Sequence, residues 1–272
     1  GTGDDWTYTF ENVPKYNQFG NEVNYSLEEL ETNTGDLKFY NKDVAGTYKS
    51  GFTVTNAFNV PDEKVNVTVT KNREDNSNVN GKRPTSIKYV LNGGTTPVEQ
   101  VVSGNTTTDE NWSYTFANLP KYNELGNIIN YSVEEQEVNA NDFKFYTNKI
   151  IGDKDSGFRI TNKFVVPEDK IQIQVTKHWE DNNNVNNRRP ESIKFVIKQN
   201  NSEIKSKVVT GSRTTDENWS YTFDNLAKFD ENGQEIDYVL EEQEVNADDM
   251  KFYTGTTSGN RKSGFVVTNK FT

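Results

Sequence analysis

Two kinds of strand carry polar residues where apolar ones belong. In "VNVTVTK" the residues Val65, Val67, Val69 and Lys71 share one side of an alternating run, and in "IQIQVTK" Ile171, Ile173, Val175 and Lys177 do the same. A lysine thus continues each apolar face. In "FRITNKF" Asn162 has the inward parity of Phe158, Ile160 and Phe164, and in "FVVTNKF" Asn269 has that of Phe265, Val267 and Phe271. Glu135 follows Tyr131 and Val133 in the same way, and Glu242 follows Tyr238 and Leu240. Burial lowers the pKa of an amine and raises that of a carboxyl, so near neutrality the first becomes a nucleophile and the second a proton donor. Each residue alone has a plain structural account: a strand-end lysine reaching for solvent, an asparagine satisfying a turn, a glutamate at a sheet rim. The set recurs, however. Lys71 precedes Glu135 by 64 residues and Asn162 by 91, and Lys177 precedes Glu242 by 65 and Asn269 by 92. Duplication preserves such spacing but gives no reason to bury three costly polar groups.

The elements that must position these residues come from an internal repeat. "DDWTYTFENVPKYNQFGNEVNYSLEE", "ENWSYTFANLPKYNELGNIINYSVEE" and "ENWSYTFDNLAKFDENGQEIDYVLEE" align with their tryptophans at 6, 112 and 219, a period of 106 or 107. Each copy closes alike ("GFTVTNAF", "GFRITNKF", "GFVVTNKF"), and the second and third open alike ("KVNVTVTKNRED", "KIQIQVTKHWED"). The expected units are residues 1–58, the C-terminal part of a repeat, and two complete repeats at 59–165 and 166–272. The first keeps Glu29 and Asn56 at the separation of 27 found between Glu135 and Asn162, but its lysine falls upstream of Gly1, so the two are expected to be unpaired remnants. Short alternating runs bounded by Asn, Asp, Gly and Pro predict about seven strands per unit and no helix, an antiparallel β-sandwich of immunoglobulin-like size. The short joints carrying Pro61 and Pro167 predict a stiff rod.

Composition excludes several functions. With 41 acidic against 30 basic residues and a net charge of -11, the chain is not expected to bind nucleic acid or an anionic membrane. No apolar run is long enough for a membrane helix, and "GTGDDWTYTF" does not read as a secretion signal. Cysteine is absent, which removes disulfides and thiol chemistry. The loop from Asn76 to Gly81 spaces oxygens in the manner of a calcium loop, but Ile87 stands where a bidentate glutamate is needed, so no metal is expected there. His178 points opposite to Lys177, towards solvent. Glu134 and Glu135, like Glu241 and Glu242, are strand neighbours facing opposite ways and cannot flank one glycosidic bond. "LPKYN" is not a sorting motif, and the glycosylation patterns in "NYS", "NVT" and "NWS" carry no weight.

The openings "VTKNRED" and "VTKHWED", "GKRP" at 81–84, "NW" followed by "LPKYN", "YSVEE" and the closing "ITNKF" together resemble the B-type repeats of Gram-positive collagen adhesins, the Cna B domains. The resemblance spans both complete units and all of the first that is present. It implies an inverse immunoglobulin or prealbumin-like sandwich, with a self-formed isopeptide bond joining Lys71 to Asn162 and Lys177 to Asn269, promoted by Glu135 and Glu242. One departure is that Arg73 stands where the third unit has Trp179 and the family an aromatic residue. No cofactor is implied, and the chemistry is a single turnover rather than an enzyme activity. The implied role is a stalk on the Gram-positive cell wall, projecting an adhesive domain outside these residues and contacting neighbouring repeats. The alternatives are repeats that themselves bind a host extracellular matrix ligand multivalently, and part of a pilin subunit.

Overall fold

The computed structural model describes residues 6–272, which form sixteen strands and no helix. Tandem β-sandwiches, as the alternation predicts, are built from them. Residues up to 58 contribute β1 (Tyr40–Thr47) and β2 (Gly51–Phe58), one antiparallel pair in which Lys42 lies opposite Asn56. With no counterpart of a first sheet strand among the described residues to cover them, Trp6, Tyr8 and Phe10 are exposed, whereas their equivalents Trp112 and Phe116 are buried.

The next seven strands are β3 (Lys64–Glu74), β4 (Ile87–Asn92), β5 (Val98–Val102), β6 (Tyr114–Pro120), β7 (Ser132–Glu137), β8 (Tyr146–Asp153) and β9 (Gly157–Phe164). They form a four-stranded sheet of order β6-β3-β9-β8 and a three-stranded sheet of order β5-β4-β7. The last seven repeat this plan: β10 (Lys170–Glu180), β11 (Ile193–Gln199), β12 (Ser202–Val209), β13 (Tyr221–Ala227), β14 (Val239–Glu244), β15 (Tyr253–Asn260) and β16 (Gly264–Phe271), in sheets β13-β10-β16-β15 and β12-β11-β14. Alternation places Val67 and Val69 of β3 inside with Tyr89 of β4 and Ile160 of β9, around the fully buried Trp112. Trp219 does the same in the last unit. Each indole donates to a backbone carbonyl, Trp112 to Asn105 and Trp219 to Ser212, both at 2.7 Å. Gly211 lies against the second indole so closely that a Cβ would come within 2.4 Å of the ring, which excludes any larger residue.

Antiparallel pairing holds everywhere except at one place in each sandwich. The first and last strands, β3 with β9 and β10 with β16, are parallel neighbours. Their register sets Lys71 opposite Ile160 and Arg73 opposite Asn162, and likewise Lys177 opposite Val267 and Trp179 opposite Asn269. From the other sheet, β7 brings Glu135 beside Tyr89 and β14 brings Glu242 beside Phe195.

A buried ion network pins the end of the opening strand. Asp75 and Asp181 continue the inward parity of the lysines and receive forked bonds from Arg83 and Arg189, with Nη2 to Oδ1 at 2.6 Å in both. Tyr146 and Tyr253 donate to the same carboxylates at 3.0 Å, and Arg83 Nη1 reaches the Thr108 carbonyl at 2.6 Å. Burial alone would raise the Asp75 carboxyl, but Arg83, the Asn78 amide and Tyr146 outweigh it and hold it below its ordinary value.

The joints between units are built from equivalent residues. At the first, Glu63 binds Lys38 at 2.6 Å and Lys121 at 2.8 Å, while Phe39 meets Tyr122 edge-on at 5.1 Å. At the second, Asp169 binds Lys144 at 3.0 Å, and Phe145 meets Phe229 edge-on at 5.1 Å. Gly126 and Gly233, at φ +79 and +70, floor these aromatic seats; a Cβ on Gly233 would press to 3.0 Å from the Phe145 ring.

Removing one partner of a buried forked pair strands the other, which costs about 3–5 kcal/mol. Arg189→Ala is therefore expected to lower the unfolding free energy of the last unit by that amount, with little change for Lys205→Ala in an exposed pair. Equal effects in urea titrations would disprove the network's role.

Candidate functional site

Each complete sandwich gathers one lysine, one asparagine and one glutamate beneath the parallel strand pair. Lys71 is 3% exposed and Asn162 1%; Lys177 is 1% and Asn269 0%. The Glu135 and Glu242 side chains are closed off as well, at 0% and 9%. Because parallel partners share a face, Lys71 lies diagonal to Asn162, one inward position away, and Lys177 has the same relation to Asn269.

The two sites differ in detail. Lys71 Nζ stands 2.6 Å from Glu135 Oε1, off the direction of a true hydrogen bond, so that neither atom has a hydrogen-bond partner among the described residues. Lys177 Nζ is 3.7 Å from Glu242 Oε1, donates to the His178 carbonyl at 2.9 Å and lies 4.0 Å from the centre of the Trp179 ring. In both sites the asparagine Oδ1 is buried and accepts no hydrogen bond among the described residues. Such unsatisfied groups cost about 1–3 kcal/mol each, so the clusters are expensive as they stand.

Electrostatics fits them for reaction. Burial pushes the Lys71 amine down to about 8 even against the opposing pull of Glu135, and burial takes Lys177 to about 8 against Glu242 and Asp216. Burial raises the Glu242 carboxyl, with Lys177 opposing. In the last unit, an amine shifted towards its neutral form and an acid shifted towards its protonated form beside a carboxamide are the reagents of amide exchange. A surface depression lined by Phe143, Tyr146, Thr147 and Asn148 reaches Asn162.

In the first unit, Asn56 donates to Glu29 at 3.0 Å, so these residues meet each other without any lysine strand. Asn56 is exposed there. Lys42, across from it in register, gives its amine to the Glu29 backbone carbonyl at 2.8 Å. His178 lies outside the cluster, against Asp216 at 3.1 Å. Among the described residues no group of three His, Cys, Asp or Glu side chains is arranged to hold a metal.

The sequence marks Arg73, against Trp179, as a departure from the family's aromatic residue, but not what the two touch, and it does not mark Asp75 and Asp181. Arg73 lies over the Trp112 ring at 3.9 Å, and Trp179 meets Trp219 edge-on at 5.3 Å. Both continue the parity of the lysines, as do Asp75 and Asp181, so the same alternation that exposes Lys71 and Lys177 carries the signal for all four.

Three segments of the chain, residues 2–57, 67–163 and 173–270, match the family described as Cna protein B-type domain. The collagen adhesin of Staphylococcus aureus is 32% identical over 268 residues, which are 97% of this chain and 20% of that protein. The chain thus spans a fifth of this relative's length. Among solved structures, a single B repeat unit (B1) of the collagen-binding surface protein of Staphylococcus aureus is 32% identical, covering 77% of this chain and all of its own, with a TM-score of 0.32. A pair of B repeat units (B1B2) from the same protein is 31% identical, covering 94% of this chain and 61% of its own, with a TM-score of 0.33.

The burial of the amine is open to direct measurement. In an Asn269→Ala chain, whose Lys177 has no carboxamide beside it, NMR titration of the side-chain nitrogen is expected to give a midpoint near 8. A midpoint at the ordinary lysine value, about 10.4, contradicts the burial described here.

Proposed function

The chain belongs to the Cna protein B-type domain family, and on that footing we propose that it is a run of stalk repeats from a cell-wall surface adhesin, divided at 1–58, 59–165 and 166–272 and locked by isopeptide bonds in the two complete units. The observation that carries this reading is the pair of buried clusters, each holding an amine, a carboxamide oxygen without a hydrogen bond and an acid. In the proposed step, neutral Lys71 Nζ attacks Asn162 Cγ, and the carbonyl π pair moves onto Oδ1. The Glu135 carboxyl gives a proton to Nδ2 while its other oxygen takes the proton released from Nζ, so the acid ends in the state in which it began. The Cγ–Nδ2 bond breaks, ammonia leaves and the carbonyl reforms. Lys177, Asn269 and Glu242 act in the same order. The fold supplies proximity, and the reaction runs once.

Mechanics gives the bond its use. Parallel β3 and β9 carry the chain in at one pole of the sandwich and out at the other, so tension shears these two strands against each other. A link between them bypasses the 91 residues from Lys71 to Asn162, which would otherwise release about 300 Å of chain on unfolding. On the chain-entropy account, closing such a loop also stabilises the fold by about 4–5 kcal/mol. The joints favour the same reading, since an ion pair and an edge-on aromatic pair restrain each boundary.

Between 59 and 272 the exposed large apolar side chains are all aliphatic. A repeated ligand site would show exposed aromatic anchors, so this speaks for a structural role over direct binding of a host ligand.

Intact mass spectrometry is expected to show the loss of one ammonia per complete unit, with linked peptides joining Lys71 to Asn162 and Lys177 to Asn269; the unmodified mass would sink the reading. Glu242→Ala should leave a folded last unit without its bond and the middle unit with its own. A Glu242→Ala chain that links fully refutes the proton relay. For the joint, Phe145→Ala is expected to broaden the distance distribution between spin labels placed on the two complete units, and an unchanged distribution would remove the aromatic seat from the account of stiffness.

A further inference from the structure

The attack on either asparagine puts negative charge on Oδ1, and some donor must meet it. Within each cluster only the acid could supply one, and it also carries the proton relay, so a second donor has to come from outside the lysine, glutamate and asparagine. The residue in register with each asparagine on the opening strand is Arg73 for Asn162 and Trp179 for Asn269. Both have inward parity. The Arg73 side chain is fully closed off from solvent, and Trp179 is buried.

Both also carry donors with nothing to bind. Arg73 Nε, Nη1 and Nη2 are buried without a hydrogen-bond partner among the described residues, and so is Trp179 Nε1. Asp109, at 3.9 Å from Arg73 Nη1, is beyond hydrogen-bonding distance; its carboxylate instead accepts the Arg73 backbone amide at 3.0 Å. Asp216 does the same for Trp179 at 3.1 Å. These backbone contacts fix the strand, while the Trp112 ring under Arg73 and the Trp219 ring against Trp179 fix the side chains. Leaving donors unsatisfied in a core is costly unless they serve a state other than the one at rest. The acceptors left bare in the same clusters are Glu135 Oε1 and Oε2, Glu242 Oε1 and the asparagine Oδ1, and of these the asparagine Oδ1 is unsatisfied in both units and is the atom that gains charge in the attack.

We infer that Arg73 and Trp179 are the oxyanion donors of the two crosslinking sites, each presenting a buried N–H to the asparagine Oδ1 as the amine attacks. The inference rests on the crosslink reading above. A preorganised donor acts on the position that the developing charge occupies rather than on the resting carbonyl, which agrees with the absence of a hydrogen bond before reaction. When the carbonyl reforms, Oδ1 belongs to the new amide and keeps the donor. The Arg73 departure from the family's aromatic residue therefore preserves the donor while changing its charge. As a cation beside Lys71 it also favours the neutral amine, adding to the effect of burial.

The experiment follows both bonds in one full-length chain, recovered unfolded in urea and diluted into buffers from about pH 6 to about pH 10, with linked peptides quantified over time. Trp179→Phe keeps an aromatic ring against Trp219 and Tyr253 while removing the N–H together with the pyrrole half of the indole, so a urea titration first checks that the last unit stays folded. The Lys177 to Asn269 bond is expected to form at least about tenfold more slowly, with its pH profile unmoved and the Lys71 to Asn162 bond as an unchanged internal clock. In Arg73→Met the middle unit's bond is expected to slow by at least as much, and the alkaline limb of its profile to move to higher pH because the neighbouring cation is gone. Arg73→Lys keeps the charge without the planar fork, so the limb should stay in place while the rate falls; it also stands in for the methionine variant if that unit fails to fold. Wild-type rates in Trp179→Phe, or in a folded Arg73 variant, overturn the inference and leave the crosslink reading intact. Absence of both linked peptides from the wild-type chain overturns the crosslink reading itself.

Discussion

The parallel pairing of first and last strands is the constraint on which the rest depends. Every other neighbour in these sheets is antiparallel, and antiparallel neighbours are joined cheaply by turns. A parallel neighbour must come from far away in the chain, and here it comes from the other end of the domain. The register then decides which side chains meet. A shift of one residue would turn Asn162 and Asn269 out of the core and leave Lys71 and Lys177 buried beside apolar side chains alone. The two registers match, with Arg73 against Asn162 and Trp179 against Asn269, although the partners differ in chemical type.

Around that pair the core divides its polar content into two classes. Asp75 with Arg83, and Asp181 with Arg189, are buried ions whose bonding is filled by a fork, a tyrosine hydroxyl and backbone groups. They are quiet, and they hold the loop that follows the opening strand. Four residues earlier on the same face stand amines below their ordinary pKa, and the carboxamide oxygens of the neighbouring closing strand are left bare. Satisfied and unsatisfied polar groups thus sit within one strand, and the first class supplies the rigidity that keeps the second from relaxing into partners of its own.

The fold was legible because period-two alternation survives in nearly every strand, and the repeat tripled the signal. Lys71, Lys177, Asn162 and Asn269 stood out as breaks in that alternation, and the structure buries all four. Asp75 and Asp181 broke it in the same way but lie at strand ends, where a charged residue is ordinary, and their arginines follow a loop that alternation does not describe. Arg73 was noticed only as a missing aromatic, because a sequence gives no hint that a guanidinium can lie flat on Trp112. The joints were read from their prolines as stiff; the aromatic seats escaped notice because Phe39, Phe145, Tyr122 and Phe229 sit in turns outside any periodic run. The contact of Glu29 with Asn56 was likewise hidden, since it survives without the strand that defines the site elsewhere.

The joints contain a further geometric consequence. Each presses a lysine and phenylalanine from the far pole of one unit against a turn at the near pole of the next, so the two surfaces in contact are different from one another. A contact of this head-to-tail kind pairs two unlike surfaces, so neither surface has to match itself and the same contact can be repeated from one unit to the next. Units can then be added to or lost from such an array by recombination between copies without redesigning any surface, and the reach of the array scales with copy number.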